Sequence, residues 1–115
     1  MVDIYTARYN YNGPDRLDIT VKGKDPRGMV LAPTWDMVRK YQNGQEDEAT
    51  YTKRYWTLMK ERLVELNVII QWIREQKEVT LVCFCIPGAF CHRVLLAKKL
   101  AEQIPDINYK GERKV

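Results

Sequence analysis

The run Val79–Cys85, VTLVCFC, holds one polar residue, Thr80, among β-branched, aromatic and sulfur-bearing neighbours. It is too short for an ordinary helix and lacks the apolar/polar alternation of a strand with one wet face, so it describes a strand covered on both faces. Such a strand sits in the interior of a parallel sheet, with other strands beside it and further layers above and below. The chain must therefore supply both partner strands and covering helices.

The partners are found near the beginning. VDIYTARY and RLDITV are short, rich in β-branched and aromatic residues, and separated by NYNGPD, a concentration of turn-forming residues. After the turn-like KGKDPRG, MVLAPTWDMVRKYQNG reads as an extended approach followed by a short helix, with Thr34 as its N-cap and Gly44 as its stop. From Glu46 to about Glu78 apolar residues recur at steps of three and four, through Tyr51, Tyr55, Leu58, Met59, Leu63, Leu66, Ile69, Ile70 and Ile73. This is one buried helix face, widened by Trp56, Val64, Val68 and Trp72, with Asn67 as the expected bend or break. A further helix follows in CHRVLLAKKLAEQI until Pro105 ends it, and INY is a short last strand before a polar tail.

Strands interleaved with helices predict a single small three-layer α/β domain over residues 1–115, with a mostly parallel central sheet flanked by helices and residues 107–115 forming the short strand and tail. A chain of 115 residues with 45% hydrophobic and 30% charged residues is of the size and balance expected for one such core. No apolar run approaches a bilayer span, and MVDIYTARYN lacks the basic start and apolar middle of a signal peptide. Together with an odd number of cysteines, two of them at i and i+2 on one strand, this favours reduced thiols and a cytoplasmic location.

In sheets of this kind ligands bind beyond the carboxyl ends of the strands, which brings the end of VDIYTARY close to the end of VTLVCFC. There CFCIPGAFCHR gathers all three cysteines and the only histidine. Cys83, Cys85, Cys91 and His92 count as four metal ligands, yet their spacing departs from zinc pairs around a turn, so no metal or other cofactor is expected. A loop with Pro87 and Gly88 opening a helix offers unpaired amides and a favourable dipole to an anion, and Gly88 permits close approach. Arg93 in the first helical turn can grip a phosphate or carboxylate with two donors. Equally, it can anchor the helix to the sheet through a salt bridge with Asp3 or Asp18. His92 has the same choice between a ligand and a backbone carbonyl.

Cys85, Cys91 and His92 are also the candidates for a thiol-dependent reaction, because a thiolate is favoured near a helix start and a cation. The spacing from Cys85 to Arg93 departs from that of phosphatase loops, and Cys83 reads as a core residue. Thr6, Arg8, Tyr9 and Tyr11 follow the first strand, and Trp35 follows APT. These aromatics suit the sandwiching of a planar base while Arg8 and Arg93 hold its phosphates.

The strand, cysteine, proline-containing loop and Cys91-His92-Arg93 followed by VLLAKKL resemble the domain of unknown function 488 family of bacterial and phage proteins. YTARY and RLDITV resemble that family's early strands. The resemblance implies a compact α/β domain with Cys91, His92 and Arg93 at its site and Thr6 and Arg8 at the opposing strand end; it implies no particular reaction.

The expected function is binding of a small phosphate-bearing, nucleotide-derived ligand at Thr6, Arg8, Tyr9, Tyr11, Trp35, Gly88, Cys91, His92 and Arg93, as in a sequestering protein. Two alternatives stand beside it: a thiol-dependent enzyme acting on a nucleotide or glycosidic substrate, and a homodimeric interaction module built on the Glu46–Glu78 helix. A net charge of +4 without a basic stripe fits a small anion better than a nucleic-acid polymer, and no membrane partner is expected.

Overall fold

A computed structural model describes residues 1–20, 25–84 and 92–114. Within them the strands are β1 (Val2–Arg8), β2 (Arg16–Asp18), β3 (Glu78–Cys83) and β4 (Ile107–Glu112), and the helices are α1 (Pro26–Met29), α2 (Trp35–Gln42), α3 (Glu48–Glu61), α4 (Leu63–Arg74) and α5 (His92–Gln103). The sheet order is β2-β3-β1-β4, and every pairing is parallel. The chain is thus the small three-layer α/β domain its pattern predicts, with helices as one outer layer and the 9–15 connection and Arg113 as the other, and no helix in the described residues is long and apolar enough to cross a membrane.

Strand alternation sorts the sheet into two unlike faces. Val2, Ile4, Leu17, Val79, Leu81 and Cys83 share one face and belong to the apolar core with Tyr55, Met59 and Ile73 from α3 and α4 and Leu96 and Leu100 from α5. The crossovers β2-to-β3 and β3-to-β4 run the same way across the sheet, so right-handed connections place their helices on this one side. Contacts of Tyr55 with His92 and of Lys99 with the Trp56 ring fasten α3 to α5 there. The opposite face, with Tyr5 and Thr80, is covered by the 9–15 connection and by Arg113, whose guanidinium lies 3.7 Å from the Tyr5 ring centroid. Asp15 accepts from the hydroxyls of Tyr11 and Thr80, locking that connection down.

The helices follow their local chemistry. The Thr34 hydroxyl caps α2 by accepting from the Met37 amide, and Gly44 follows the helix with φ 75°. The long amphipathic stretch breaks at Arg62 rather than at Asn67. Arg62 leaves helical geometry while its Nη1 donates to the carbonyls of Met29, Val30 and Ala32 at and just beyond the end of α1. Gly28 in α1 is needed for close approach: a Cβ there would lie 1.7 Å from the Asp18 carbonyl oxygen. Of the residues expected to widen the buried stripe, Trp56 and Trp72 are partly covered, whereas Val64 and Val68 are 75% and 63% exposed.

Candidate functional site

β1 and β3 are neighbours, with Arg8 opposite Cys83 at their carboxyl ends. The chain leaves β1 across the helix-free face, whereas α5, which follows β3, packs on the helical face, so the strand pair ends at a topological switch point, the place where α/β sheets bind ligands. Extending the register by one residue puts Tyr9 beside Phe84. Their rings stack with centroids 4.0 Å apart and planes 14° from parallel, and the Arg16 guanidinium lies 4.6 Å from the Tyr9 centroid. Phe84 is 62% exposed, and Arg8, the last residue of β1, is exposed at the same strand end.

On the helical side of the same edge lies a buried polar cluster. Arg93 is 1% exposed, and its Nε and Nη2 donate to the two carboxylate oxygens of Glu112 at 3.2 and 2.7 Å. Its Nη1 lies 3.1 Å from Cys83 Sγ. Burial opposes the arginine's charge, but the Glu112 and Cys83 contacts outweigh it and leave the guanidinium's pKa raised. Partial burial likewise disfavours the Glu112 charge, and bonds from Arg93 and Thr6 overcome this and lower its pKa. The Thr6 hydroxyl, itself fully buried, is 2.7 Å from that of Tyr109.

A bulge creates this cluster. Ile4 pairs with Tyr109 and Thr6 with Glu112, so two steps along β1 match three along β4. The extra residue, with Gly111 at φ 110°, reverses the alternation and turns Glu112 toward the helical face beside Thr6. Arg113 then falls on the other face, against Tyr5 and Tyr11.

His92 is 5% exposed, and its Nε2 is 2.8 Å from the Ile19 carbonyl oxygen. A carbonyl only accepts, so Nε2 carries the proton. Burial is the main reason its pKa falls to about 4, with the adjacent Arg93 charge adding to the effect and the Ile19 bond opposing it. The ring is neutral at neutral pH and pins the start of α5 to the end of β2.

The expected residues thus divide. Thr6 and Arg93 meet around Glu112, and Arg8 and Tyr9 stand at the strand end. Tyr11 does not join them: it lies lower on the helix-free face, donating to Asp15, and that bond heads the causes that raise its phenol pKa. Trp35 starts α2, is 41% exposed, and has the Arg39 guanidinium 5.5 Å from its ring centroid. Of the four side chains counted as metal ligands, Cys83 accepts from Arg93 and His92 donates to Ile19. Cys85, Gly88 and Cys91 lie outside the described residues.

Arg93 has a carboxylate partner within the protein, and that partner is Glu112, not Asp3 or Asp18. Asp18 instead accepts from the Thr20 amide and hydroxyl and stands 3.9 Å from Arg16. Neither Glu112 nor Phe84 stands out in the sequence as a site residue. A glycine inside the INYKGE pattern is the signal of a bulge and of the turned carboxylate. Phe84 resembled the rest of its apolar run, although it falls one residue beyond the ladder.

Comparison with curated proteins and with solved structures finds no match. Among protein families, the DUF488-N3a model, described as the active DUF488-N3 subclade, matches residues 1–104. With nearly the whole chain matched, including both strand ends and the His92-Arg93 helix, the protein belongs to the DUF488 family in its DUF488-N3a subclade.

Proposed function

We propose that the protein binds a small, phosphate-bearing, nucleotide-derived ligand across the carboxyl edge of β1 and β3. The observation that carries this reading is the Tyr9–Phe84 stack at the strand ends, with its Phe84 ring largely exposed and the Arg16 guanidinium against its Tyr9 ring. A planar base gains by stacking on such a pair whatever its hydrogen-bonding edge, and nearby cations favour the attached phosphate. The start of α5 adds the positive end of a helix dipole at the same edge. Sequestration of the ligand requires no chemistry beyond these contacts.

Isothermal titration with a panel of mono- and dinucleotides tests the reading. A bound nucleotide should lose about 5- to 150-fold in affinity in Phe84→Ala, the range expected for one base–aromatic stack. A panel without a binder, or affinity indifferent to Phe84, overturns it.

A second reading, a thiol-dependent enzyme acting on a nucleotide or glycosidic substrate, draws support from the description of the subclade as active. In this reading Cys85 or Cys91 supplies the attacking sulfur. Substrate turnover that survives in a Cys85→Ser, Cys91→Ser double variant rules that out.

A further inference from the structure

Arg93 presents a planar fork of donors, and a carboxylate fills it with two parallel bonds, the arrangement by which arginine grips a carboxylate or phosphate group. The arginine is 1% exposed, whereas the Glu112 side chain is 27% exposed. The carboxylate therefore stands on the solvent side of a buried cation that would be costly to leave without an anion. Glu112 is also the last residue of an edge strand, and only the bulge at Gly111 turns it inward.

We infer that Glu112 is an internal counter-anion occupying the place of the ligand's anionic group, and that a phosphate entering the crevice displaces it from Arg93. The inference rests on the proposed binding of a phosphate-bearing ligand at this edge. Displacement frees the end of β4, where the Arg113 amide donates to the Thr6 carbonyl at 2.7 Å, so occupancy of the site is transmitted to the chain that follows. It also sets a threshold: only an anion that binds Arg93 better than the resident carboxylate enters, because affinity for the exchange is the difference between the two contacts.

The test uses pyrophosphate alone, titrated into the wild-type chain and into Glu112→Gln, which keeps the size of the side chain and removes its charge. Glu78→Gln is the control, since Glu78 pairs with Arg113 on the other face. The expected result is at least a tenfold gain in pyrophosphate affinity for Glu112→Gln and none for Glu78→Gln. Equal or weaker affinity in Glu112→Gln, or no binding to either protein, overturns the inference and leaves Glu112 a helix-to-strand clamp.

Should Glu112→Gln not fold, amide exchange of the wild-type chain decides. Saturating pyrophosphate should speed exchange at Arg113, and an unchanged or slower rate overturns the displacement. Failure here is separable from failure of the nucleotide reading: Phe84-dependent nucleotide binding without a Glu112→Gln gain removes only the counter-anion. A pyrophosphate gain without Phe84-dependent nucleotide binding removes only the base-stacking site.

Discussion

His92 and Arg93 are adjacent and both buried, yet burial has opposite consequences for their charges. Arg93 keeps its proton because Glu112 and the Cys83 sulfur compensate the loss of water, whereas His92 has a neutral carbonyl for a partner and gives its charge up. This makes the histidine a source of acid sensitivity. The unfolded chain takes up the imidazole proton near pH 6.5 and the folded chain only near pH 4. The stability tied to the neutral ring is therefore complete above pH 6.5, declines as pH falls from there to about 4, and is constant below. Its size is on the order of 3 kcal/mol at 1.36 kcal/mol per pKa unit. Urea midpoints measured from pH 7.5 to 4 should fall across that window, and His92→Gln, which retains a donor for the Ile19 carbonyl, should flatten the decline. A profile identical in the two proteins would remove His92 as its origin. Glu112, held below the usual carboxylate range, adds a loss at lower pH, where the charge that faces Arg93 is given up.

At the scale of elements, the arrangement around the edge depends on where regular patterns stop. The central strand, the N-cap at Thr34 and the helix after Pro87 are legible because each rests on local composition: an apolar run, a hydroxyl before a helix, a breaker before periodic leucines. The break at Arg62 is not, because it depends on three carbonyls some thirty residues earlier in the chain that only the fold brings within reach. Glu112 escapes notice for a related reason. Its side of the sheet is decided by one extra residue in β4, and a one-residue change of register exchanges the two faces. Gly111 is the test of this account, since a Cβ there meets nothing within 4 Å and the φ of 110° is the sole obstacle to a side chain. Gly111→Ala should therefore cost about 1–3 kcal/mol through backbone strain alone, read as a lower urea midpoint. A variant as stable as the wild type would show that β4 reaches Arg93 without the bulge.

For the molecule as a whole, the order β2-β3-β1-β4 puts the helices on one side of the sheet, and the other side is closed by far less material. What closes it joins the two ends of the chain. Arg113, just after β4, covers the Tyr5 ring and donates to Thr80, Asp15 and Glu78, drawing on the first strand, the 9–15 connection and β3 at once. Asp15 is partly buried, which by itself would raise its pKa, yet bonds from Thr80 and Tyr11, assisted by the Arg113 charge, hold it below the usual carboxylate range. This small network is the counterpart of a second helical layer, and it borders the face from which Tyr9 and Phe84 present their rings. Removing the guanidinium leaves Asp15 with its hydroxyl donors but without a cation, and uncovers Tyr5. Arg113→Ala should thus cost about 1–2 kcal/mol, above the value of an isolated exposed ion pair because the ring contact and several bonds are lost together. The loss should shrink in an Asp15→Asn background, since the two residues share one network, and a double-mutant cycle by urea denaturation measures the difference. Additive effects would mean that Arg113 and Asp15 act separately, and that the 9–15 connection holds this face of the sheet without the chain's far end.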